Sequence, residues 1–371
     1  MTFLSVLWDF NPQIVDFLPP RWYGLLFGLA FILAQQIITH IYRTEGRNEK
    51  EIDMMLIYMV VGTIVGARLG HCLFYDWDHY TQDFSHIVSI LYVWEGGLAS
   101  HGGGIGLLVA SYLFSKKYKV PSYLWLIDRI ALVVVIGGAL IRLGNFANSE
   151  IVGHPTNQSW GVVFVENART TIKGFLSQDM EVSFDDRKLE AGERIQTTEA
   201  GVELVPLFIT IELSKGLNAE SATNFVHNIT DYRAADGTPY GLNVLPDDLK
   251  FVEIAEVPVV KAGTKFQLKA WGIPRHPAQL YESISCLFIF ALLFFIYKYY
   301  KGNTPDGLLF GLFAVLVFTL RFLYEFIKEN QVAHEAGMVL KIGQKLSIPL
   351  VIAGFVLIVL SLVRKKKDIK S

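Results

Sequence analysis

Four short stretches carry residue types that could do chemistry. In "IRLGNFANSE" (Ile141–Glu150), Arg142, Asn145, Asn148 and Glu150 follow a long apolar run. A charge near a bilayer core costs about 3 kcal/mol or more unless it is paired or faces water. An arginine offers a planar fork of donors that fits a phosphate. If the stretch is helical, Arg142 and Asn145 share a face, and Asn148 adds amide donors. The plainer reading is a snorkelling arginine followed by a loop, but the polar groups are too dense for simple anchoring. In "WEGGLASHGGGIG" (Trp94–Gly106), His101 sits among six glycines, Gly102 and Gly103 included. Such a run weakens a helix and allows a bent or re-entrant backbone that approaches a ligand closely. Irregular backbone at membrane depth is tolerated only against protein or a wet cavity. His101 is either a structural histidine or a group that accepts a proton near neutral pH.

In "RHPAQLYES" (Arg275–Ser283), Pro277 suits the first turn of a helix. An interfacial anchor explains Arg275 and Tyr281, with His276 beside them, but not Glu282. In "LRFLYEFIKE", Arg321 and Glu325 are four apart on one helix face. They either neutralise each other, or Arg321 joins Arg142 on one anionic headgroup. Tyr23 in "RWYG" is a belt aromatic or a cavity residue. Arg68, Asp128 and Arg129 are expected to pair across helices. No HExxH, Cys/His cluster, acidic metal box, GxSxG elbow or P-loop is present. The expectation is recognition of an anionic lipid with acid–base or transfer chemistry, without metal or cofactor.

The elements that must hold these residues are membrane spans. The chain has 371 residues and is 52% hydrophobic, and the apolar residues gather in blocks. Blocks of about 18 or more are span candidates. Seven are expected: 22–42, 54–75, Ile87–Phe114, 122–144, 280–300, 307–326 and Leu346–Val363. The net charge of −2 offers no global field for nucleic acid. The short segments Arg43–Lys50, Lys116–Lys119, Lys298–Lys301 and Arg364–Lys370 are basic. The positive-inside rule places them in the cytoplasm, with the N-terminus outside. The first twenty residues lack the basic start and cleavage site of a signal peptide and are expected to be interfacial. Cys72 and Cys286 fall inside spans, as packing residues rather than a disulfide.

From about Asn157 to Gly272 the composition turns polar. "WGVVFVE", "MEVSFDD", "ELVPLFITIEL" and "LKFVEIAEVPVV" alternate or are β-branched, and "DGTPYG" and "LPDD" read as turns. The expected fold is an all-α polytopic membrane protein, with seven transmembrane helices and an inserted, mainly β extracytoplasmic domain. Its parts are residues 1–156 (spans one to four), 157–272 (the insert) and 273–371 (spans five to seven and a basic tail). "NQS" and "NIT" match a glycosylation sequon, a weak signal.

The sequence resembles the prolipoprotein diacylglyceryl transferase family. The resemblance runs in order through "RWYG", "GARLGHCLFY", "WEGGLASHGGGIG", "IRLGNFANSEIVG", "RHPAQLYE", "RFLYEF" and "GQKLSIP". Ser149 stands where the family commonly has glycine, Ile141 also replaces a glycine, and the insert is longer than usual. The resemblance implies a bacterial inner-membrane enzyme. Phosphatidylglycerol donates its diacylglyceryl group to the lipobox cysteine in a prolipoprotein signal peptide; a thioether forms and glycerol phosphate leaves. A thiol of pKa ~8.5 attacks as thiolate, so a nearby base helps. His101 is then the base or its orienting group, and Arg142 and Arg321 stabilise the leaving phosphate. Asn145, Asn148 and Glu150 position the glycerol or the arginines, with Tyr23, Gly102, Gly103, Arg275, His276, Tyr281, Glu282 and Glu325 as further substrate contacts. Two rival classes are a secondary transporter of an anionic solute, which should show paired repeats not found here, and a non-catalytic lipid-binding scaffold.

Overall fold

Helices α1 (Trp22–Thr44), α2 (Lys50–Phe74), α6 (Tyr123–Ala147), α8 (Ala278–Tyr299) and α10 (Ile342–Asp368, apolar to Arg364) are long and apolar enough to cross a membrane. The computed structural model describes residues 6–14, 21–92, 97, 99–175, 180–198, 200–213, 249–254, 259–260, 263–329 and 338–368. Five helices therefore meet the length and composition of a span among the described residues, against the seven expected. Helix α5 (Ser100–Tyr118) starts with glycines and ends in Lys116–Lys117, and α9 (Leu308–Tyr324) has only 17 residues. Two short helices, α3 (Trp77–Tyr80) and α4 (Phe84–Ser89), follow α2. The turns expected at "DGTPYG" and "LPDD", the "NIT" tripeptide, and Trp94, Glu95, Gly96 and Leu98 lie outside the described residues.

The chain divides into two compact units. The first comprises Met1–Leu26, Ile141–Ser283 and Leu323–Lys341; the second comprises Phe27–Leu140, Ile284–Phe322 and Ile342–Ser371.

In the first unit, β1 (Val6–Trp8) pairs in parallel with β2 (Val162–Phe164), so the expected interfacial segment contributes a strand. Helix α7 (Glu166–Phe175) interrupts the expected run of strands. An antiparallel sheet has the order β3 (Met180–Asp186), β4 (Val205–Leu213), β7 (Gly263–Gly272), β5 (Leu249–Ile254), with β6 (Val259–Val260) also on β7. The alternation in the sequence is the cause: Val182, Phe184, Leu207, Ile209, Ile211, Leu268 and Ala270 are buried at every second position.

In the second unit, the intramembrane charges act as struts. Asp128 on α6 accepts from the N–H of Gly307 and Phe310, both at 2.8 Å, and so caps α9. Arg129 pairs with Glu45 at 2.9 Å and donates to the Gly302 carbonyl at 2.8 Å. Arg68 donates to the Ser89 and Ile90 carbonyls at 2.7 and 2.9 Å. Arg129 thus pairs with Glu45, just past the end of α1, whereas Asp128 and Arg68 mainly engage backbone. Neither cysteine is in a disulfide.

The glycines after His101 do not break the backbone: residues 100–118 form regular helix. They let α5 approach α2. A Cβ on Gly106 would lie 2.0 Å from the Gly62 carbonyl oxygen, and one on Gly102 2.3 Å from that of Gly66. Small residues four apart on both helices create this contact. Gly104 faces open space. Gly106→Ala is therefore expected to lower stability by roughly 1–3 kcal/mol through overpacking. Gly104→Ala should leave it unchanged or raise it by up to about 1 kcal/mol. Melting of the two variants in detergent checks the contrast, and equal behaviour would refute the packing role.

Candidate active site

The site in the first unit begins with how α6 ends. The N–H of Glu150 bonds to the Asn145 carbonyl at 2.9 Å, and that of Ser149 to Phe146 at 3.1 Å. With Ser149 at φ +56°, this is a Schellman turn, whose left-handed position favours glycine. Serine tolerates it at a cost, which accounts for the glycine common here in the resembling family. The turn folds Glu150 back over Asn145. The Glu150 carboxylate accepts from Asn145 Nδ2 at 2.9 Å and from Asn148 Nδ2 at 3.1 Å. Arg142 Nη1 donates to Asn145 Oδ1 at 3.3 Å, as the spacing of three predicts.

The next segment is held by backbone bonds. Gly153 N–H donates to the His276 carbonyl at 3.0 Å, His276 N–H to His154 at 3.1 Å, and His154 N–H to Ile327 at 2.7 Å. Segments 152–156, 274–276 and 327–329 are thereby stitched together. A Cβ on Gly153 would lie 2.7 Å from both Cβ and O of His276, so only glycine fits.

This frame brings three distant charges together. Glu282, in the first turns of α8, meets Arg142 Nε with one carboxylate oxygen and Lys328 Nζ with the other. Lys328 also lies 3.7 Å from Glu325. Glu282, Glu325 and Lys328 are buried, while Arg142 is half-buried. Burial draws the Lys328 ammonium below the usual lysine range, against the opposing pull of Glu282. The Arg142 fork has five donors, and these contacts occupy only part of it. Near Glu150, Asn148 Oδ1, Ser149 Oγ and Gln279 Oε1 are buried polar atoms without a protein partner. The Gln279 amide nitrogen donates to the Glu150 carbonyl. Tyr23 packs on α6 at Gly144, where a Cβ would lie 2.9 Å from its ring.

A second cluster lies on the same frame. Arg275 Nη1 bonds to Glu329 Oε1 at 2.6 Å, and His154 Nδ1 lies 3.3 Å from that oxygen. Burial pushes the Glu329 carboxyl up, but Arg275 and His154 outweigh it and hold it below its ordinary value. Trp160 Nε1 donates to the Tyr281 hydroxyl at 2.8 Å, which lies 3.1 Å from His276 Nδ1. Burial, then the charge of His154, lowers the His276 pKa from its usual 6.5.

The structure thus gathers Tyr23, Arg142, Asn145, Asn148, Glu150, Arg275, His276, Tyr281, Glu282 and Glu325 in one unit. His101 and Arg321 belong to the other. His101, near the start of α5, has its ring 5.8 Å from Phe74 and 5.5 Å from Tyr75; Arg321 is half-buried in the last turn of α9. Gly102 and Gly103 face α2. Sequence reasoning missed Lys328, Glu329, His154, Gln279 and Trp160. Only Lys328 left a signal, three residues after Glu325.

Removing one partner of a buried ion pair costs roughly 3–5 kcal/mol. Lys328→Met is therefore expected to destabilise the protein by about that amount, and adding Glu282→Gln to it should cost less than Glu282→Gln does alone. Denaturant unfolding of the single and double variants measures this, and additive losses would refute the shared charge.

The family model for prolipoprotein diacylglyceryl transferase matches residues 12–360. A phosphatidylglycerol–prolipoprotein diacylglyceryl transferase of Tolumonas auensis is 34% identical over 364 residues, covering 98% of this chain and all of its own. Proteins of that name from Chloroherpeton thalassium and Porphyromonas gingivalis are 32% and 31% identical. Each covers 95% of this chain, and 93% and 94% of its own. By this match over nearly its whole length, the chain belongs to the prolipoprotein diacylglyceryl transferase family.

Proposed function

We propose that the chain is a multi-pass bacterial membrane enzyme that transfers the diacylglyceryl group of phosphatidylglycerol to the lipobox cysteine of a prolipoprotein. The sulfur bonds to the glyceryl carbon, the carbon–oxygen bond breaks with its electrons going to the phosphate, and glycerol phosphate leaves. The thiol proton passes to a base. Family membership supports the reaction. The observation that carries the site is the pairing of spare arginine donors with uncommitted acceptors. Arg142 is oriented by Glu282 and Asn145 with donors remaining for a phosphate. Asn148 Oδ1, Ser149 Oγ and Gln279 Oε1 can accept from glycerol hydroxyls. Charge growing on the leaving phosphate then meets preorganised donors in a dry setting.

His101 serves as the base or its orienting group, and Arg321 as a second phosphate ligand; residue chemistry and the family resemblance support both roles. Seven spans, an N-terminus outside, a cytoplasmic C-terminus and the inner membrane are supported by the distribution of basic segments. The division 1–156, 157–272 and 273–371 follows the same topology, with the sheet of the insert on the outer side.

His276 acts as a donor. Trp160 donates to the Tyr281 oxygen, and in this reading the Tyr281 proton goes to His276 Nδ1. The neutral ring then carries its proton on Nε2, ready for a substrate oxygen. Glutamine places an N–H near the Nε2 position.

The deciding assay incubates purified protein with labelled phosphatidylglycerol and a lipobox peptide, with a Cys→Ser peptide as control. A mass gain on cysteine alone is expected, and Arg142→Gln should lower kcat/KM by about 100-fold or more, the scale of losing a transition-state donor. Absence of transfer by the unaltered protein would refute the reading. His276→Gln should keep activity within roughly tenfold while His276→Ala falls further. The unaltered enzyme loses the neutral ring only below pH 6.5, because the His276 pKa is lowered. Protonation leaves the Nε2 proton in place, so a donor keeps working there, and an acid limb that vanishes in His276→Gln would refute the donor role. Equal losses in both variants would mean that the ring works as a base.

A further inference from the structure

The first unit contains a polar cleft of about 650 Å³ that the reaction leaves unused. Its size lies within the range of ligand pockets, about 300–1,000 Å³. One wall is Glu181, Val182 and Ser183, three consecutive residues of β3. Side chains alternate along a strand, so a cavity lined by three in a row opens on the strand's edge. Strand β3 is indeed at the end of the sheet order. The other walls are α7, residues 11–13 and Arg21. Arg169 of α7 fastens them: it pairs with Asp9 of the N-terminal segment and with Glu166 at 3.1 Å, and donates to the Val182 carbonyl at 3.3 Å.

The lining dictates what could bind. Exposed Arg21 and Lys173 face a cleft that also contains Glu181 and Glu212. These two glutamates are direct cross-strand neighbours. The mixed signs disfavour a simple anion, and the polar walls disfavour an acyl chain. A polar peptide meets both demands, since its backbone and side chains supply donors, acceptors and charges of either sign.

We propose that this cleft holds the polar stretch of the precursor that follows its acceptor cysteine. The inference rests on the transfer reaction proposed above. Arg21 immediately precedes α1, on the proposed outer side, where a precursor anchored by its signal segment presents that cysteine. The cleft and the Arg142 cluster belong to the same compact unit.

Two acceptor peptides share one lipobox; the short one ends one residue after the cysteine, and the long one adds ten polar residues of both charges. The long peptide should have a KM about five- to tenfold lower. Lys173→Glu and Glu181→Lys, both at exposed positions, should abolish that advantage while leaving kcat and the short peptide's KM unchanged. Melting temperatures verify folding. A photo-crosslinker in the long peptide's added segment should label α7 or β3 even without phosphatidylglycerol. Transfer with equal KM for both peptides, or labelling elsewhere, would overturn the cleft assignment and leave the reaction intact. Labelling at α7 or β3 without transfer to either peptide would support the docking site and refute the reaction.

Discussion

The site depends on one constraint: a carboxylate buried in an apolar bundle must be paired. Glu282 meets Arg142 and Lys328 at once, and so fixes three segments that lie far apart in the sequence. An ion pair of this kind adds little net stability against a hydrophobic replacement, but breaking it is expensive. Its value lies in geometry. Because Lys328 takes one oxygen of Glu282, the carboxylate orients Arg142 without satisfying every donor of the guanidinium. The lysine thereby keeps the arginine available.

Comparison of two arginines separates support from recognition. Arg129 is fully enclosed and is matched by Glu45, the Gly302 and Trp125 carbonyls and Thr304. A satisfied fork in the interior holds helices and loops together. Arg142 is partly exposed and only partly matched. That uncommitted capacity is what the proposed phosphate contact would use.

Much of this was legible in the sequence, for identifiable reasons. The Arg142–Asn145 contact follows from helical spacing, and β3 and β4 from strict alternation in "MEVSFDD" and "LFITIEL". The bond between Asn145 and Glu150 needed the Schellman turn, which serine disguises where glycine would announce it. Lys328 carries no mark of burial in the sequence, because its burial comes from pairing between segments 152–156 and 327–329. The glycines after His101 were read as a break in the helix; Gly62, Gly66 and Gly70 on α2 are the partners that give them another purpose. Helix α7 was hidden within a region otherwise rich in strand signals.

The brevity of α9 has a physical outcome of its own. Seventeen residues at about 1.5 Å each reach roughly 25 Å, short of a hydrocarbon layer about 30 Å thick. A short apolar rod is accommodated by local thinning of the bilayer. With Asp128 securing one end of the rod, the deficit falls at the other, where Arg321 occupies the last turn. On the proposed seven-span topology, phosphates of neighbouring lipids would dip there toward Arg321, the proposed second phosphate ligand.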